Sequence, residues 1–377
     1  MKYYLIAGEA SGDLHGGNLI KALKNADVNA QFRCWGGEHM QQASGNELVK
    51  HYKDTAFMGL VEVLRHLRAI LKNISFCKAD IAQFKPDVVI LIDYPGFNLR
   101  IAKYVRKLGI KVFYYISPQV WAWHQSRVKF MKKNIDELFV ILPFEPAFFS
   151  KFGWTVLYFG HPLLDEIDKE KKISDSMDTM QTLLPRWSKP VIALLPGSRR
   201  QEVTRILPLM VKMAAKFTQY QFVVAGVNSL PPQLYESVTA GSDVQVVFGH
   251  TRHLLGQATA ALVASGTATL ETALYNVPQV VCYRANPLSV AIARRLVKVP
   301  YISLVNLIAQ KEVVTELIQQ NFTETRLQKA LAGILPNGAE RQKMLEAYGQ
   351  LRTNLGSSGV SNKVAQAMVA LLKGQQP

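Results

Sequence analysis

The stretch VASGTATLETA, residues 263–273, gathers a serine, a glycine, three threonines and one carboxylate behind an apolar run. Those residue types suit an anionic ligand. The hydroxyls of Ser265, Thr267 and Thr269 can donate to a phosphate, and Glu271, one helical turn further on, can accept from a ribose diol. A plain helix cap draws on the same residues. A second stretch, LPGSRRQE, tilts the balance: Gly197 permits close backbone approach, Ser198 adds a hydroxyl, and Arg199 carries a guanidinium that can fork onto phosphate. Two more stretches carry acids. DVVILIDYPGFN delivers Asp93 to the end of an apolar strand ahead of a Pro-Gly turn, where burial that lifts its pKa toward neutrality would make it a general base; an Asx turn is the plainer reading. GEASGD sets Glu9, Ser11 and Asp13 at another strand end, able to hold sugar hydroxyls or to cap a helix. ISPQVWAWH adds Trp121, Trp123 and His124, an aromatic pair suited to packing a core or stacking on a ligand.

Something must bring these loops to one side. Apolar runs recur as KYYLIA, DVVILI, KVFYYI, ELFVIL and TVLYF, then as PVIALLP, QFVVA, VQVVF, AALVA and QVVCY, with helical spacing between many of them. Runs that are apolar throughout fit strands of a parallel sheet covered on both faces. The sequence therefore predicts two consecutive α/β domains, which suits a chain of 377 residues. The expected boundaries are 1–163 for the first domain and 164–345 for the second, with a helical segment, 346–377, broken at GSSG. In open α/β sheets ligands collect outside the carboxyl ends of the strands, where all four polar stretches fall.

Other classes lose support. The cysteines, Cys34, Cys77 and Cys282, are scattered and form no CxxC, against a disulfide scaffold or a sequence-local zinc site. The first apolar run is too short for a signal peptide and no run reaches the ~18 residues of a spanning helix, so a cytoplasmic chain is expected. GxxxxGK[ST], GxGxxG after the first strand, HExxH and DxD are all missing, and His250 and His253 lack an obvious third ligand. The expectation is a metal-free, cofactor-free nucleotide-sugar site in the second domain, its leaving-group charge met by a helix N-terminus and Arg199. A net charge of +16 points to nucleic acid or anionic lipid, and residues 94–135 hold nine Lys/Arg with no acid. No RNP, KH or zinc-finger pattern accompanies it, so nucleic acid is not expected as a partner.

GEASGD, IDYPGFN, ISPQVWAW, FGHPL, LPGSRRQE and SGTATLE, in that order and across most of the chain, together resemble the lipid A disaccharide synthases, bacterial glycosyltransferases of the GT-B fold. The resemblance implies two Rossmann-like domains facing a cleft, with a C-terminal helix returning to the first. It implies transfer of the glucosamine unit of UDP-2,3-diacylglucosamine to the 6-hydroxyl of 2,3-diacylglucosamine 1-phosphate, with inversion, giving a β-1,6 disaccharide and UDP. By motif match the family's important positions fall on Glu9, Ser11, Asp93, Arg199, Glu271 and Asn306, the last in YISLVNLIA. Many members have an acid in the second motif where this chain has Gly96, leaving Asp93 as the motif's one carboxylate. His15, with an ordinary pKa nearer neutrality, is the rival base, but it lies past GEASGD and outside the motif.

Acylated, anionic substrates also give the positive charge a use at the inner membrane of a Gram-negative bacterium. In LVEVLRHLRAILK, residues 60–72, Leu60, Val63, Leu64, Leu67, Ile70 and Leu71 form one helical stripe, with Arg65, Arg68 and Lys72 off it. A core-packed helix has the same pattern, and the oligomeric state, a homodimer included, stays open. A UDP-N-acetylglucosamine 2-epimerase of the same fold is the alternative enzyme.

Overall fold

A computed structural model of the chain describes residues 1–54, 67–176, 187–286 and 299–375. The chain divides into two units: Met1–Asp168 with Leu355–Pro377, and Lys169–Asn354. The expected boundary after residue 163 falls instead within a helix, Leu163–Ser176. The polar segment DKEKKISDS, which follows that boundary, continues the helix. Residues 346–354 also belong to the second unit, because the helix Arg341–Leu355 is continuous up to the Gly/Ser break.

The first unit is built on a seven-stranded parallel sheet. Its strands are β1 (Lys2–Ala7), β2 (Gln31–Gly36), β3 (Lys50–His51), β4 (Val88–Ile92), β5 (Lys111–Tyr115), β6 (Glu137–Val140) and β7 (Leu157–Tyr158), in the order β3-β2-β1-β4-β5-β6-β7. The apolar runs show why. Tyr4, Ile6, Val89, Leu91, Val112 and Tyr114 enter one buried cluster, and their neighbours Tyr3, Leu5, Val88, Ile90, Phe113 and Tyr115 enter another. With both faces covered, β1, β4 and β5 are apolar apart from Lys2 and Lys111 at their starts.

The helix Val360–Leu372 completes the second of these clusters, where Val364, Ala365 and Met368 join Leu19, Ile20 and Leu23 of the helix Ala10–Ala26. Asp165 fixes its start. One carboxylate oxygen accepts from the amides of Gly359 at 2.7 Å and Val360 at 2.9 Å, the other from the amide and hydroxyl of Ser361 at 2.8 and 2.7 Å. A carboxylate there satisfies amides that a helix start leaves without partners.

The second unit has six parallel strands, β8 (Val191–Leu195), β9 (Gln221–Gly226), β10 (Val244–Phe248), β11 (Ala258–Ala264), β12 (Gln279–Tyr283) and β13 (Glu316–Ile318), ordered β10-β9-β8-β11-β12-β13. In each sheet the strand order reverses once, between β1 and β4 and between β8 and β11. Those are the switch points at which open α/β sheets bind ligands.

Candidate functional site

Glu9 follows β1 and Asp93 follows β4, so both stand at the switch point of the first unit. The local backbone there is unusual. Asp93 and the next residue, Tyr94, both take left-handed conformations, with φ of 44° and 50°. Non-glycine residues in this region cost of order 1–3 kcal/mol each and persist where surroundings enforce them. Here the enforcement is visible. Asn98 donates from Nδ2 to the Asp93 carbonyl at 2.8 Å, the Tyr114 hydroxyl donates to that same oxygen, and the Asp93 amide donates to the Tyr115 carbonyl at 3.2 Å. The Tyr94 carbonyl in turn accepts from the Asn98 amide at 3.0 Å. Gly8 completes the fit, because a Cβ at that position would lie 2.2 Å from the Tyr94 ring.

This turn leaves the Asp93 carboxyl partly buried beside Glu9. Burial, and then the charge of Glu9, raise its pKa to about 6, against the pull of a backbone hydrogen bond from Tyr94. Such a carboxylate is ionised at neutral pH and yet basic enough to take a proton. Glu9 is partly buried at the N-cap of Ala10–Ala26, and Ser11 is exposed on its first turn. Asp13 corrects its expectation. It is 1% exposed, accepting from the amides of Gly37 at 2.7 Å, His39 at 3.0 Å and Met40 at 3.0 Å, so it caps the helix Glu38–Ser44 and is committed to the fold.

His15 sits within Ala10–Ala26 near the buried His161, whose pKa falls to about 3 through burial and then the charge of His15. The two tryptophans part company. Trp121 is buried edge-on against Phe144, whereas Trp123 is 45% exposed, with the Arg127 guanidinium over its ring.

At the switch point of the second unit the LPGSRRQE loop leaves β8 and SGTATLE leaves β11. Ser198 and Arg199 are exposed, and the Arg199 guanidinium lies 3.5 Å from the Glu202 carboxylate. Glu202 is a participant that the sequence reading missed. Its carboxylate folds back onto the amides of Ser198 and Arg199 at 3.1 and 3.2 Å, beneath Gly197 at φ 104°. Thr267 opens the helix Thr267–Leu274 on exposed backbone.

Three other donor-site expectations need correction. The Ser265 hydroxyl donates to the Ile302 carbonyl at 2.9 Å, and that of the fully buried Thr269 to the Gly266 carbonyl at 2.8 Å, so neither hydrogen is left for a phosphate. Asn306 is also fully buried. It accepts from the amides of Val313 and Val314 at 2.7 and 2.9 Å and donates to the Val314 carbonyl and to Glu316 at 2.8 and 2.9 Å. Because Glu316 also receives the Ile302 amide at 3.0 Å, Asn306 braces the segment against which Ser265 rests. Glu271 is partly buried and pairs with Arg252, Nε to Oε1 at 2.6 Å, a partner no motif had indicated.

Of the expected membrane stripe, Leu60, Val63 and Leu64 lie outside the described residues. Leu67 and Leu71, on the helix Leu67–Phe84, are 42% and 51% exposed, while Ile70 packs toward the core. No helix among the described residues is long and apolar enough to cross a membrane.

The family model described as lipid-A-disaccharide synthetase matches residues 3–371. The chain belongs to that family. Among relatives named lipid-A-disaccharide synthase, that of Syntrophus aciditrophicus is 40% identical over 376 residues, covering 98% of this chain and 97% of its own length. One from Pseudomonas putida is 39% identical with 98% of both chains covered, and one from Coxiella burnetii is 36% identical with the same coverage. Among solved structures, the UDP-GlcNAc 2-epimerase of Neisseria meningitidis bound to UDP-GlcNAc superposes with TM-score 0.66 at 14% identity, over 98% of this chain and 100% of that one. The glycotransferase of kitacinnamycin does so with TM-score 0.64 at 13% identity, over 100% and 99%. These likenesses establish a GT-B-like fold for the lipid-A-disaccharide synthetase family's member described here.

Proposed function

We propose that the chain is an inverting glycosyltransferase that joins UDP-2,3-diacylglucosamine to 2,3-diacylglucosamine 1-phosphate, releasing UDP and the β-1,6 disaccharide 1-phosphate. One observation beyond family membership carries the reading. The two sets of motif residues end on the switch points of two separate sheets, one offering a base and the other phosphate-suited groups. Asp93 takes the proton from the acceptor 6-hydroxyl as that oxygen attacks the anomeric carbon, with Glu9 and Ser11 orienting acceptor hydroxyls. UDP leaves as an anion that needs no proton, so no partner acid is required. Arg199, the Ser198 hydroxyl and the start of Thr267–Leu274 offset its growing charge, and Glu271 accepts from the ribose diol. Gly96 is exposed, with open space where a side chain would be, so the second acid that the resemblance implies for this motif has no counterpart in this scheme.

The membrane is part of the proposal, because both substrates are lipids. The exposed Leu67 and Leu71, flanked by exposed Arg68 and Lys72, support a peripheral attachment at the inner leaflet. The test is incubation with both lipid substrates in mixed micelles, following the disaccharide 1-phosphate by mass spectrometry and UDP by a coupled assay, with and without EDTA. Product in equal amounts under both conditions is expected. UDP release without acceptor would favour an epimerase-like reaction, and loss of product with EDTA would overturn the metal-free scheme.

A further inference from the structure

Arg252 belongs to none of the motifs, yet it stands at the middle of a polar chain inside the second unit. Its Nε donates to Glu271 Oε1 at 2.6 Å and its Nη1 to Glu170 Oε1 at 2.8 Å, while the Tyr275 hydroxyl holds Glu170 Oε2 at 2.7 Å. The guanidinium is 20% exposed and Glu271 17%, so solvent screens the contact less than it would a surface pair. The groups come from three helices: Arg252 from Thr251–Gln257, Glu271 from Thr267–Leu274 with Tyr275 at its end, and Glu170 from Leu163–Ser176. A planar fork set between two carboxylates fixes the rotamers of both, which an ammonium on a flexible stem does poorly.

We infer that Arg252 is a positioning residue for nucleotide recognition: it holds the Glu271 carboxylate in the orientation that receives the ribose diol, with Glu170 and Tyr275 as its anchor. The inference rests on the donor-site reading of Glu271. A carboxylate has about four acceptor directions, so the Arg252 contact at one oxygen leaves acceptor capacity for two vicinal hydroxyls. Without the brace, Glu271 would spend conformational entropy each time it bound. The second carboxylate has its own use, since Glu170 shares the guanidinium and keeps Glu271 from being fully neutralised as an acceptor.

The test compares UDP with 2′,3′-dideoxy-UDP, which keeps the phosphates and uracil and lacks the diol, by calorimetric titration of the full chain. Arg252→Met is expected to weaken UDP about 10- to 100-fold, the range for a lost hydrogen bond to a charged group, and to leave dideoxy-UDP within about twofold. Arg252→Met combined with Glu271→Ala should bind UDP no worse than Glu271→Ala alone. Should Arg252→Met fail to fold, Arg252→Lys carries the same comparison, because one ammonium cannot reproduce the fork. Equal losses for both nucleotides would mark Arg252 as a structural brace and overturn the inference. So would unchanged UDP affinity in the Arg252 variants alongside a loss in Glu271→Ala. Unchanged UDP affinity in Glu271→Ala would overturn the donor-site reading itself, and this inference with it.

Discussion

At the scale of single residues, Asp93 shows how a backbone sets up the carboxylate proposed as the base. A left-handed pair of residues, clamped by Asn98 and Tyr114, keeps a partly buried carboxylate beside Glu9. With its pKa raised to about 6, the rate of disaccharide formation should rise with pH through that value and level off above it, read from the pH dependence of kcat/KM. Asp93→Asn should lower the rate by about 10²–10⁴-fold and His15→Ala should retain substantial activity. The same shift has a consequence for stability. A carboxyl whose folded pKa lies above its unfolded value of 3.8 binds protons more tightly when folded, so its contribution is complete below about pH 4 and is lost as pH rises through about 6. Above that pH, Asp93→Asn should therefore melt higher than the parent, by roughly 1–3 kcal/mol of unfolding free energy. A lower melting point, or full activity in the variant, would remove Asp93 from the site. Its strand-end position was legible in the sequence and its clamp was not, since Asn98 and Tyr114 meet it only through the turn and the β4–β5 pairing. Asn306 and Thr269 illustrate the opposite error: motif residues whose hydroxyl or amide hydrogens are all spent inside the fold look, in sequence, like ligand donors.

At the scale of elements, the ten apolar runs all form strands, and in the central ones burial on both faces leaves an unbroken apolar signature. The strands the sequence did not reveal are those with a weaker signature. β2 carries Arg33, which reaches Asp80 at 2.5 and 2.8 Å, and β3 and β13 are only two and three residues long. The Arg252 chain was equally hidden, since its members lie far apart in sequence and meet through three helices. Beside its apolar face, Val360–Leu372 is held by one side chain at its start, Asp165. Asp165→Ala leaves three amides and a hydroxyl with no acceptor, and at roughly 1–3 kcal/mol for a buried unsatisfied group should cost at least ~2 kcal/mol. Limited proteolysis near Gly356–Gly359, faster in the variant at a temperature where the parent resists, checks it. Unchanged cleavage and melting would assign the anchoring to the apolar face alone.

At the scale of the whole molecule, charge is the dominant property. The chain carries +16, and the exposed Lys/Arg of Pro95–Lys107 and Arg127–Asn134 lie in the same unit as Leu67, Leu71 and Trp123. Each basic group near an anionic surface contributes about 1 kcal/mol, and this falls off within a Debye length. Sedimentation with vesicles containing anionic phospholipid should accordingly show binding at ~0.1 M salt and release toward ~1 M, where that length drops from about 10 to 3 Å. Leu67→Ser with Leu71→Ser should lower binding further at every salt concentration while leaving UDP affinity unchanged. Equal binding to neutral vesicles, or none to anionic ones, would end the membrane reading. The sequence supplied the net charge; which leucines face outward depended on packing, as Ile70 turns toward the core between two exposed neighbours.

The order in which the ribosome supplies these parts matters too. Leu19, Ile20 and Leu23 are covered by a helix synthesised only after the whole of Lys169–Asn354 has been made. At roughly 5–20 residues per second, the nascent first unit waits on the order of 10–40 s with that apolar face open. The second unit is continuous in sequence and can fold during the wait. The face of Ala10–Ala26 is thus the last part of the first unit's core to be covered.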